Sequence, residues 1–294
     1  MTTLTSADII ADRLYEAGVR QAFGVPGGEV LHLIDALTRR GIAFVLARHE
    51  NAAGFMAEGA WHATGAPGVL VTTVGPGMAN TVNVVANAEQ DRVPLIVLTG
   101  AYDEVTTLRY THQIFDHRVV LAPLVKRTFE ARVDGCDVMV DKAVRLACDP
   151  QPGPVHIDLP IGVAIAPHAP ARADRIAALR PVLPSGLDAA RDRLAKAKRP
   201  LIVAGLDLLE SDTGPDVLRT LSAQHNIPVV TTYKAKGVVD ETSDLALGGH
   251  GLSPKADAIV TPLLRDADFV ICAGYDPIEM RPGWQDPWDP ANAI

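Results

Sequence analysis

The 294-residue sequence is poor in aromatic residues and has no excess of positive charge. Aromatic residues make up 5% of the chain against 48% for all hydrophobic residues, so the core is expected to be aliphatic. Lysine and arginine number 27 against 35 aspartate and glutamate, a net charge of −8. This charge disfavours nonspecific binding to nucleic acid or to an anionic membrane surface, and neither is an expected partner.

The sequence also lacks a membrane-length apolar run, a secretory leader and a cysteine framework. The longest uncharged stretches are interrupted by glycine, proline and polar residues, unlike a spanning helix of about 20 apolar residues. The N-terminus has no basic segment followed by an apolar run. Cys136, Cys148 and Cys272 show neither disulfide nor metal-site spacing. These absences predict a soluble protein of the reducing cytoplasm, without metal ligands of its own.

What the sequence does contain is an alternation of apolar runs and amphipathic segments. Continuous apolar runs predict buried parallel strands at residues 21–25, 43–46, 69–73, 95–99, 155–159, 201–204, 229–231 and 269–273. Helical patterns follow Thr5 and then occupy residues 30–37, 50–64, 78–88, 138–147, 187–197, 215–225 and 256–264. The predicted fold class is α/β, with two open, mainly parallel, doubly wound sheets.

The length predicts two domains, at roughly 100 to 200 residues for each. Residues 160–184 contain five prolines and no sustained apolar period, which indicates a connection between domains. We therefore predict a first domain over residues 1–165, a linker over 166–184 and a second domain over 185–294. Residues 276–294 are rich in proline, tryptophan and aspartate and contain no predicted strand, so the second domain is expected to be incomplete.

Four short motifs follow predicted strands, and each has an ordinary structural explanation when it is taken alone. Residues 24–28 (GVPGG) fit a plain strand-to-helix turn as well as a loop that approaches a ligand. Residues 48–50 (RHE) begin a helix, where Glu50 could simply favour the positive end of the helix dipole. Residues 72–80 (TTVGPGMAN) leave backbone N–H groups open, and residues 112–116 (HQIFD) fit a charged surface loop.

Taken in order, the motifs resemble those of acetolactate synthase-like thiamine diphosphate enzymes. The resemblance is carried by residues 24–28, 48–50 with 57–59 (AEG), 75–77 with Asn80, and 151–160 (QPGPVHIDLP). The second half is similar to the central domain of that family at residues 199–205 (RPLIVAG), 227–232 (IPVVTT), 236–237 (KG) and 274–277 (GYDP). The resemblance covers essentially the whole chain.

The resemblance implies that the first domain binds the aminopyrimidine ring of thiamine diphosphate and that the second is the family's central domain. A third domain of the family holds the diphosphate through Mg²⁺, and its Gly-Asp-Gly motif occurs nowhere in this sequence. We therefore expect the Mg²⁺ and diphosphate to be held by a missing domain, by another copy in a homo-oligomer or by a partner chain. FAD, which some members bind in the central domain, is a second and less favoured cofactor.

The resemblance also assigns roles to residues. Glu50 matches the glutamate that hydrogen-bonds the pyrimidine ring nitrogen and so promotes proton removal from the thiazolium ring. Gln113 and Lys126 match further catalytic positions. The implied cofactor-binding residues are Gly24, Val25, Pro26, Gly27, Glu50, Thr73, Gly75, Pro76 and Asn80. The implied reaction is decarboxylation of a 2-oxo acid such as pyruvate and carboligation to a second one, giving 2-acetolactate.

Two alternatives stay open. The chain could serve a different thiamine diphosphate decarboxylase or carboligase, because Val74 and Ile114 depart from the pattern of the biosynthetic acetolactate synthases. It could also be a noncatalytic nucleotide- or flavin-binding module that uses only its α/β sheets.

Overall fold

A computed structural model of the chain describes residues 4–168, 185–281, 284 and 286–294. The chain divides into two compact units, Met1–Ala177 and Ala178–Ile294. Most of the predicted linker, residues 169–184, lies outside the described residues, and the predicted domain bounds stay a prediction. No helix in the described ranges combines the length and apolar character that a membrane crossing requires.

The first unit is built on a six-stranded parallel sheet with the strand order β2-β1-β3-β4-β6-β5. Its strands are β1 (Gln21–Val25), β2 (Ala43–Leu46), β3 (Gly68–Thr72), β4 (Leu95–Ala101), β5 (Arg127–Glu130) and β6 (Val155–Pro160). Its helices are α1 (Ser6–Glu16), α2 (Leu31–Arg40), α3 (Glu50–Thr64), α4 (Pro76–Ala79), α5 (Val82–Gln90), α6 (Glu104–Thr107), α7 (His117–Leu121), α8 (Cys136–Cys148) and α9 (Ile161–Ile165).

Helices cover both faces of this sheet because successive strand residues point to opposite sides. Val69 and Val71 of β3 pack in an aliphatic cluster with α1, α2 and α8. Leu70, between them, packs in a second cluster with α3 and α5. All five residues of β3 are buried, as expected for a central strand covered on both faces.

The second unit has a four-stranded parallel sheet with the order β10-β7-β8-β9. Its strands are β7 (Pro200–Ala204), β8 (Val229–Thr232), β9 (Ala246–His250) and β10 (Phe269–Ala273). Its helices are α10 (Leu187–Lys196), α11 (Gly214–His225) and α12 (Pro254–Asp266). The two sheets and their interleaved helices confirm the predicted α/β fold class.

The sequence prediction missed two strands, the short helices α6, α7 and α9, and one helix break. Strand β5 is a half-exposed edge strand and β9 contains two glycines, so neither forms a continuous apolar run. The helix predicted over residues 78–88 is divided into α4 and α5. Thr81 lies at the break, where its hydroxyl donates to the Met78 carbonyl at 2.7 Å and competes with the regular helical hydrogen bonds.

Candidate cofactor site

The carboxyl ends of the parallel strands in the first unit meet at one edge of the sheet, where ligands bind in open α/β folds. The loops after β1, β2, β3 and β4 all leave from this edge. They carry all four motifs that the sequence singled out, the fourth in the connection between β4 and β5. The geometry of their side chains decides whether they form a site.

Glu50 is the first residue of α3 and is only 7% exposed. Its N-terminal helix position favours negative charge. Asn80 donates from Nδ2 to Glu50 Oε2 at 2.9 Å. Oε1 has no hydrogen-bond partner within the described part of the chain. A Cβ placed on Gly77 would lie 3.5 Å from Oε1, so the glycine loop passes directly beside this oxygen.

The glycine loops pack closely against each other and against the Gln113 segment. A Cβ on Gly27 would lie 2.0 Å from Thr73 Oγ1, so only glycine fits at this contact. Gly75 has φ +57° and ψ −109°, a conformation that L-residues rarely adopt. A Cβ on Gly75 would lie 2.1 Å from the Gln113 carbonyl oxygen. The structure therefore brings residues 27, 73, 75 and 113 together near Glu50.

The remaining predicted cofactor residues lie along the same edge. Gly24 pairs with Leu46 and Val71 on its two sides, and Val25 pairs with Thr72. Pro26 and Pro76 are exposed loop residues of the edge.

Lys126 stands apart from this group. It immediately precedes β5, which places it at the amino-terminal edge of the sheet. Its Nζ donates to the Gln151 carbonyl at 3.0 Å. Its predicted catalytic role stays a prediction that this geometry does not support.

Glu29 is a site residue that the sequence prediction did not select. Its carboxylate accepts hydrogen bonds from Thr73 Oγ1 at 2.6 Å and from the Tyr102 hydroxyl at 3.0 Å. Burial raises the pKa of Glu29, but these hydrogen bonds outweigh it and leave the pKa below its usual value. Burial, and then the contact with Glu29, raise the pKa of Tyr102 to about 12, so its hydroxyl stays a donor. The available signal was that Glu29 directly follows the first glycine motif.

A second unpredicted group lies behind the Gly75 loop. His117 Nδ1 is 2.7 Å from Asp158 Oδ1, and His117 Nε2 accepts the Gly75 backbone N–H at 2.8 Å. His156 lies 3.4 Å from the same Asp158 oxygen. Burial alone raises the pKa of Asp158, but hydrogen bonds from His117 and His156 lower it to about 2. His117 and Asp158 line a cavity of about 510 Å³.

These three side chains offer one nitrogen or oxygen atom each within 4.8 Å of one another. Their hydrogen bonds nevertheless oppose a bound cation. Both nitrogens of His117 are already used, and the Gly75 N–H requires that Nε2 stay unprotonated. A neutral ring then carries its proton on Nδ1, which faces the carboxylate and leaves no lone pair for an ion. The group is best described as a hydrogen-bonded cluster.

The second unit has its own buried glutamate at the carboxyl edge of its sheet. Glu279 is 2% exposed, and Thr232 Oγ1 donates to its Oε1 at 2.5 Å. The Leu206 backbone N–H donates to its Oε2 at 3.0 Å. Burial raises the pKa of Glu279 more than these hydrogen bonds lower it. Both oxygens of this carboxylate are therefore held by its own chain.

Comparison with known proteins identifies the family of the chain. Residues 4–119 match the family model "Thiamine pyrophosphate enzyme, N-terminal TPP binding domain". Residues 187–294 match "Thiamine pyrophosphate enzyme, central domain". The chain therefore belongs to the thiamine pyrophosphate enzyme family, thiamine pyrophosphate being another name for thiamine diphosphate.

Individual relatives show which members of this family the chain is similar to. Acetolactate synthase of Bacillus subtilis (strain 168) is 31% identical over 280 residues, covering 94% of this chain and 49% of the relative. Acetolactate synthase isozyme 3 large subunit of Escherichia coli (strain K12) is 33% identical over 286 residues, with coverages of 93% and 49%. A probable 2-ketoarginine decarboxylase of Pseudomonas aeruginosa is 31% identical over 287 residues, with coverages of 93% and 49%.

The chain spans about half the length of these curated relatives. The similarities confirm an acetolactate synthase-like chain with a thiamine pyrophosphate-binding domain.

Proposed function

We propose that this chain supplies the pyrimidine-binding side of the cofactor site in an acetolactate synthase-like enzyme. In this proposal Glu50 is the carboxyl group that shares a proton with the cofactor's ring nitrogen. The observation that carries it is the buried Glu50 carboxylate with one oxygen held by Asn80 and the other without a partner in the described chain. When bound, thiamine diphosphate supplies the electron sink for decarboxylation of a 2-oxo acid.

The residues around Glu50 fit a flat heterocycle. Asn80 fixes the carboxylate orientation and leaves Oε1 to meet a ring nitrogen. Glycine at positions 27 and 77 lets the two loops pack closely around Thr73, and Gly77 also lies beside Glu50 Oε1. Burial of the carboxylate lowers the local dielectric constant, which strengthens a hydrogen bond to it. Gln113 lies against the same loop and is proposed to face the substrate.

Mg²⁺ and the diphosphate are proposed to be held by residues outside these 294, because the family's Gly-Asp-Gly motif does not occur in the sequence. Another copy of a longer chain or a partner chain would supply them. Pyruvate as substrate, FAD as a second cofactor, the oligomeric state and the cytoplasmic location stay predictions.

A reconstitution experiment tests the proposal. The 294-residue chain is titrated with thiamine diphosphate and Mg²⁺ by calorimetry, alone and with a polypeptide carrying the C-terminal half of an acetolactate synthase large subunit. We expect weak binding alone, and both tight binding and acetolactate formation from pyruvate in the mixture. Tight binding and turnover by this chain alone would contradict the assignment of the diphosphate contacts to a partner.

The role of Glu50 is tested in the same mixture. Glu50→Gln is expected to lower turnover by a factor of about 10²–10⁴, the usual contribution of a positioned proton-transfer group. Glu58→Gln is the matched control, because Glu58 lies two turns further along the same helix and its carboxylate accepts a hydrogen bond from Asn87. Near-normal turnover of Glu50→Gln would reject the role of Glu50.

A second candidate is a decarboxylase for a 2-oxo acid whose side chain carries a hydrogen-bond donor or a positive charge. Glu29 favours it, because a carboxylate of lowered pKa lies beside the Gly27–Thr73 contact. The similarity to the 2-ketoarginine decarboxylase supports the same idea. Product analysis with pyruvate and with a guanidinium-bearing 2-oxo acid separates the two candidates, and Glu29→Gln should weaken only the second activity.

A further inference from the structure

We propose that His117 is a positioning residue for the cofactor site. Its neutral ring, protonated on Nδ1, holds the Gly75 loop and the Gln113 segment in place beside Glu50. The consequence for catalysis rests on the proposed function above, whereas the contacts of the ring do not.

The protonation state follows from the two partners of the ring. The Gly75 backbone N–H can only donate, so His117 Nε2 at 2.8 Å must accept with its lone pair. Asp158 is ionised and can only accept, so His117 Nδ1 at 2.7 Å must carry the proton. The ring is 4% exposed, and water therefore has little access to replace either bond.

The Gly75 N–H is a buried donor that needs this partner. A buried N–H without a hydrogen bond costs roughly 1–3 kcal/mol. The positive φ of Gly75 turns its N–H away from the regular helix that begins at Pro76. His117 accepts that N–H and so fixes the conformation in which Gly77 passes beside Glu50 Oε1.

The ring also ties the Gln113 segment to the same loop. Gly75 contacts that segment twice, through its N–H to His117 and through its Cα, which packs under the Gln113 carbonyl. Asp116 caps the start of α7 by accepting the N–H groups of Arg118 at 3.0 Å and Val119 at 3.1 Å. His117, as the first residue of α7, is thereby held in register. The site loop and the segment of the predicted catalytic glutamine are thereby linked through the ring.

Protonation of the ring would break this arrangement. A doubly protonated imidazole presents an N–H at Nε2, which would face the Gly75 N–H and leave both donors unpaired. The charged groups packed around the ring are Asp158 and His156 from β6, and the cavity-lining Glu104, Asp116, Arg118, Glu130 and Arg132. The pKa of Asp158 is lowered to about 2, so the carboxylate stays ionised and an added proton would have to go to the His117 ring.

The first test determines directly which nitrogen of the His117 ring carries the proton. Long-range ¹H–¹⁵N spectra of the 294-residue chain at pH 8 report which nitrogen carries the proton, and the signals of residue 117 are assigned by their loss in His117→Gln. We expect Nδ1 protonated and Nε2 bare. A ring protonated on Nε2 would overturn the proposal.

The second test compares two substitutions through the hydrogen-exchange protection of the Gly75 amide at pH 8. His117→Gln places an acceptor near Nε2 and should keep the protection of the unsubstituted chain. His117→Phe retains a ring without an acceptor and should lower protection about five- to tenfold, the loss of one hydrogen bond.

Two controls complete the design. Protection of Leu70, in the buried strand β3, reports global unfolding and should follow none of these changes. His32→Gln removes an exposed imidazole and should leave the protection of Gly75 unchanged. A His117→Gln chain that loses the protection, or a His117→Phe chain with normal protection, would contradict the proposal.

These measurements need no cofactor, so the two proposals fail separately. If reconstitution with thiamine diphosphate fails while the Gly75 pattern holds, the proposed function is wrong and the ring contact stands. If reconstitution succeeds and Gly75 responds to none of the His117 changes, only the positioning role is rejected.

Discussion

The two units place a buried glutamate at the same position, the carboxyl edge of a parallel sheet, but they satisfy it differently. In the second unit, Thr232 and Leu206 hold both oxygens of Glu279. In the first unit, Asn80 holds one oxygen of Glu50, and the other lacks a partner among the described residues. A carboxylate whose two oxygens are both held by its own chain needs no ligand to complete its hydrogen bonds. The Glu50 oxygen that Asn80 does not hold is open to a ligand, and we propose that the cofactor ring binds there.

Glycines pack closely at both edges. A Cβ on Gly205 would lie 2.4 Å from the Gly274 carbonyl oxygen, so backbone fills the edge between β7 and β10. In the first unit Gly75 likewise meets the Gln113 carbonyl oxygen, whereas the glycines at 27 and 77 contact side chains around Thr73 and Glu50. Fold class alone therefore does not identify a site, because both units share it.

The largest effect is expected from filling the glycine positions. Gly75→Ala should lower the free energy of unfolding of the first unit by about 3 kcal/mol, because it combines a positive φ with a backbone clash. Gly274→Ala should cost the second unit a similar amount, since its Cβ would lie 2.2 Å from the Leu208 nitrogen. Hydrogen exchange of the most protected amides in each sheet measures both.

Gly59→Ala is the control for that pair. This glycine lies in α3 with open space around it, and alanine there should stabilise the helix by about 0.5–1 kcal/mol. Only Gly75→Ala should also weaken binding of the cofactor. If Gly274→Ala weakened it equally, the contrast between the units would be lost.

The next largest effect is a difference in how much Glu279 and Glu50 contribute to the stability of their units. Glu279→Gln should destabilise the second unit by about 1–3 kcal/mol, because an amide NH₂ would face a donor that now meets a carboxylate oxygen. Glu50→Gln should change the first unit by less than about 0.5 kcal/mol, since the amide oxygen can still accept from Asn80. Equal costs would show that both glutamates are structural.

The units should also respond to acid in opposite directions. The pKa of Asp158 is lowered from 3.8 to about 2, so its contribution is present above pH 4 and is lost as the pH falls toward 2. The loss amounts to about 2 kcal/mol for the first unit. The pKa of Glu279 is raised above 4.5, so its contribution is present below that value and is lost as the pH rises through the raised pKa.

Hydrogen exchange in the two sheets between pH 2 and 7 checks these signs. Asp158→Asn should make the stability of the first unit less dependent on pH, and Glu279→Gln should do the same for the second unit. The same direction in both units would contradict the assignment.

The smallest effect concerns Glu29. Tyr102→Phe removes one of its hydrogen bonds and should cost about 0.5–1.5 kcal/mol while moving the pKa of Glu29 upward. Carboxyl ¹³C shifts followed against pH measure the change. Tyr15→Phe is the control, because the Tyr15 ring stacks on Arg20 and Arg40, away from Glu29. An unchanged pKa in Tyr102→Phe would remove Glu29 from the site.

Much of the fold could be predicted because its signals are local. Strand β10 and helix α3 lie where apolar runs and helical spacing placed them. Edge strand β5 could not be found, since its stability comes from pairing with β6 rather than from its own pattern.

The site residues also divide into those that the sequence could predict and those that it could not. Glu50 and the glycine motifs follow strands directly, so the sequence alone brought them to one edge. Contacts across long sequence separations were not visible in any motif. Glu29 meets Tyr102 across 73 residues, and His117 meets Asp158 across 41. Lys126 was selected because it matches a position of the family. That match did not reveal that Lys126 precedes strand β5 and so lies at the opposite, amino-terminal edge of the sheet.

The most direct test of the central claim follows the proton itself. In the reconstituted mixture, the exchange of the cofactor's thiazolium C2 proton for deuterium is timed for the unsubstituted chain, Glu50→Gln and Glu58→Gln. A carboxyl group that shares a proton with the pyrimidine ring predicts at least 100-fold slower exchange in Glu50→Gln and a change of less than about twofold in Glu58→Gln. Exchange in Glu50→Gln as fast as in the unsubstituted chain would contradict the account.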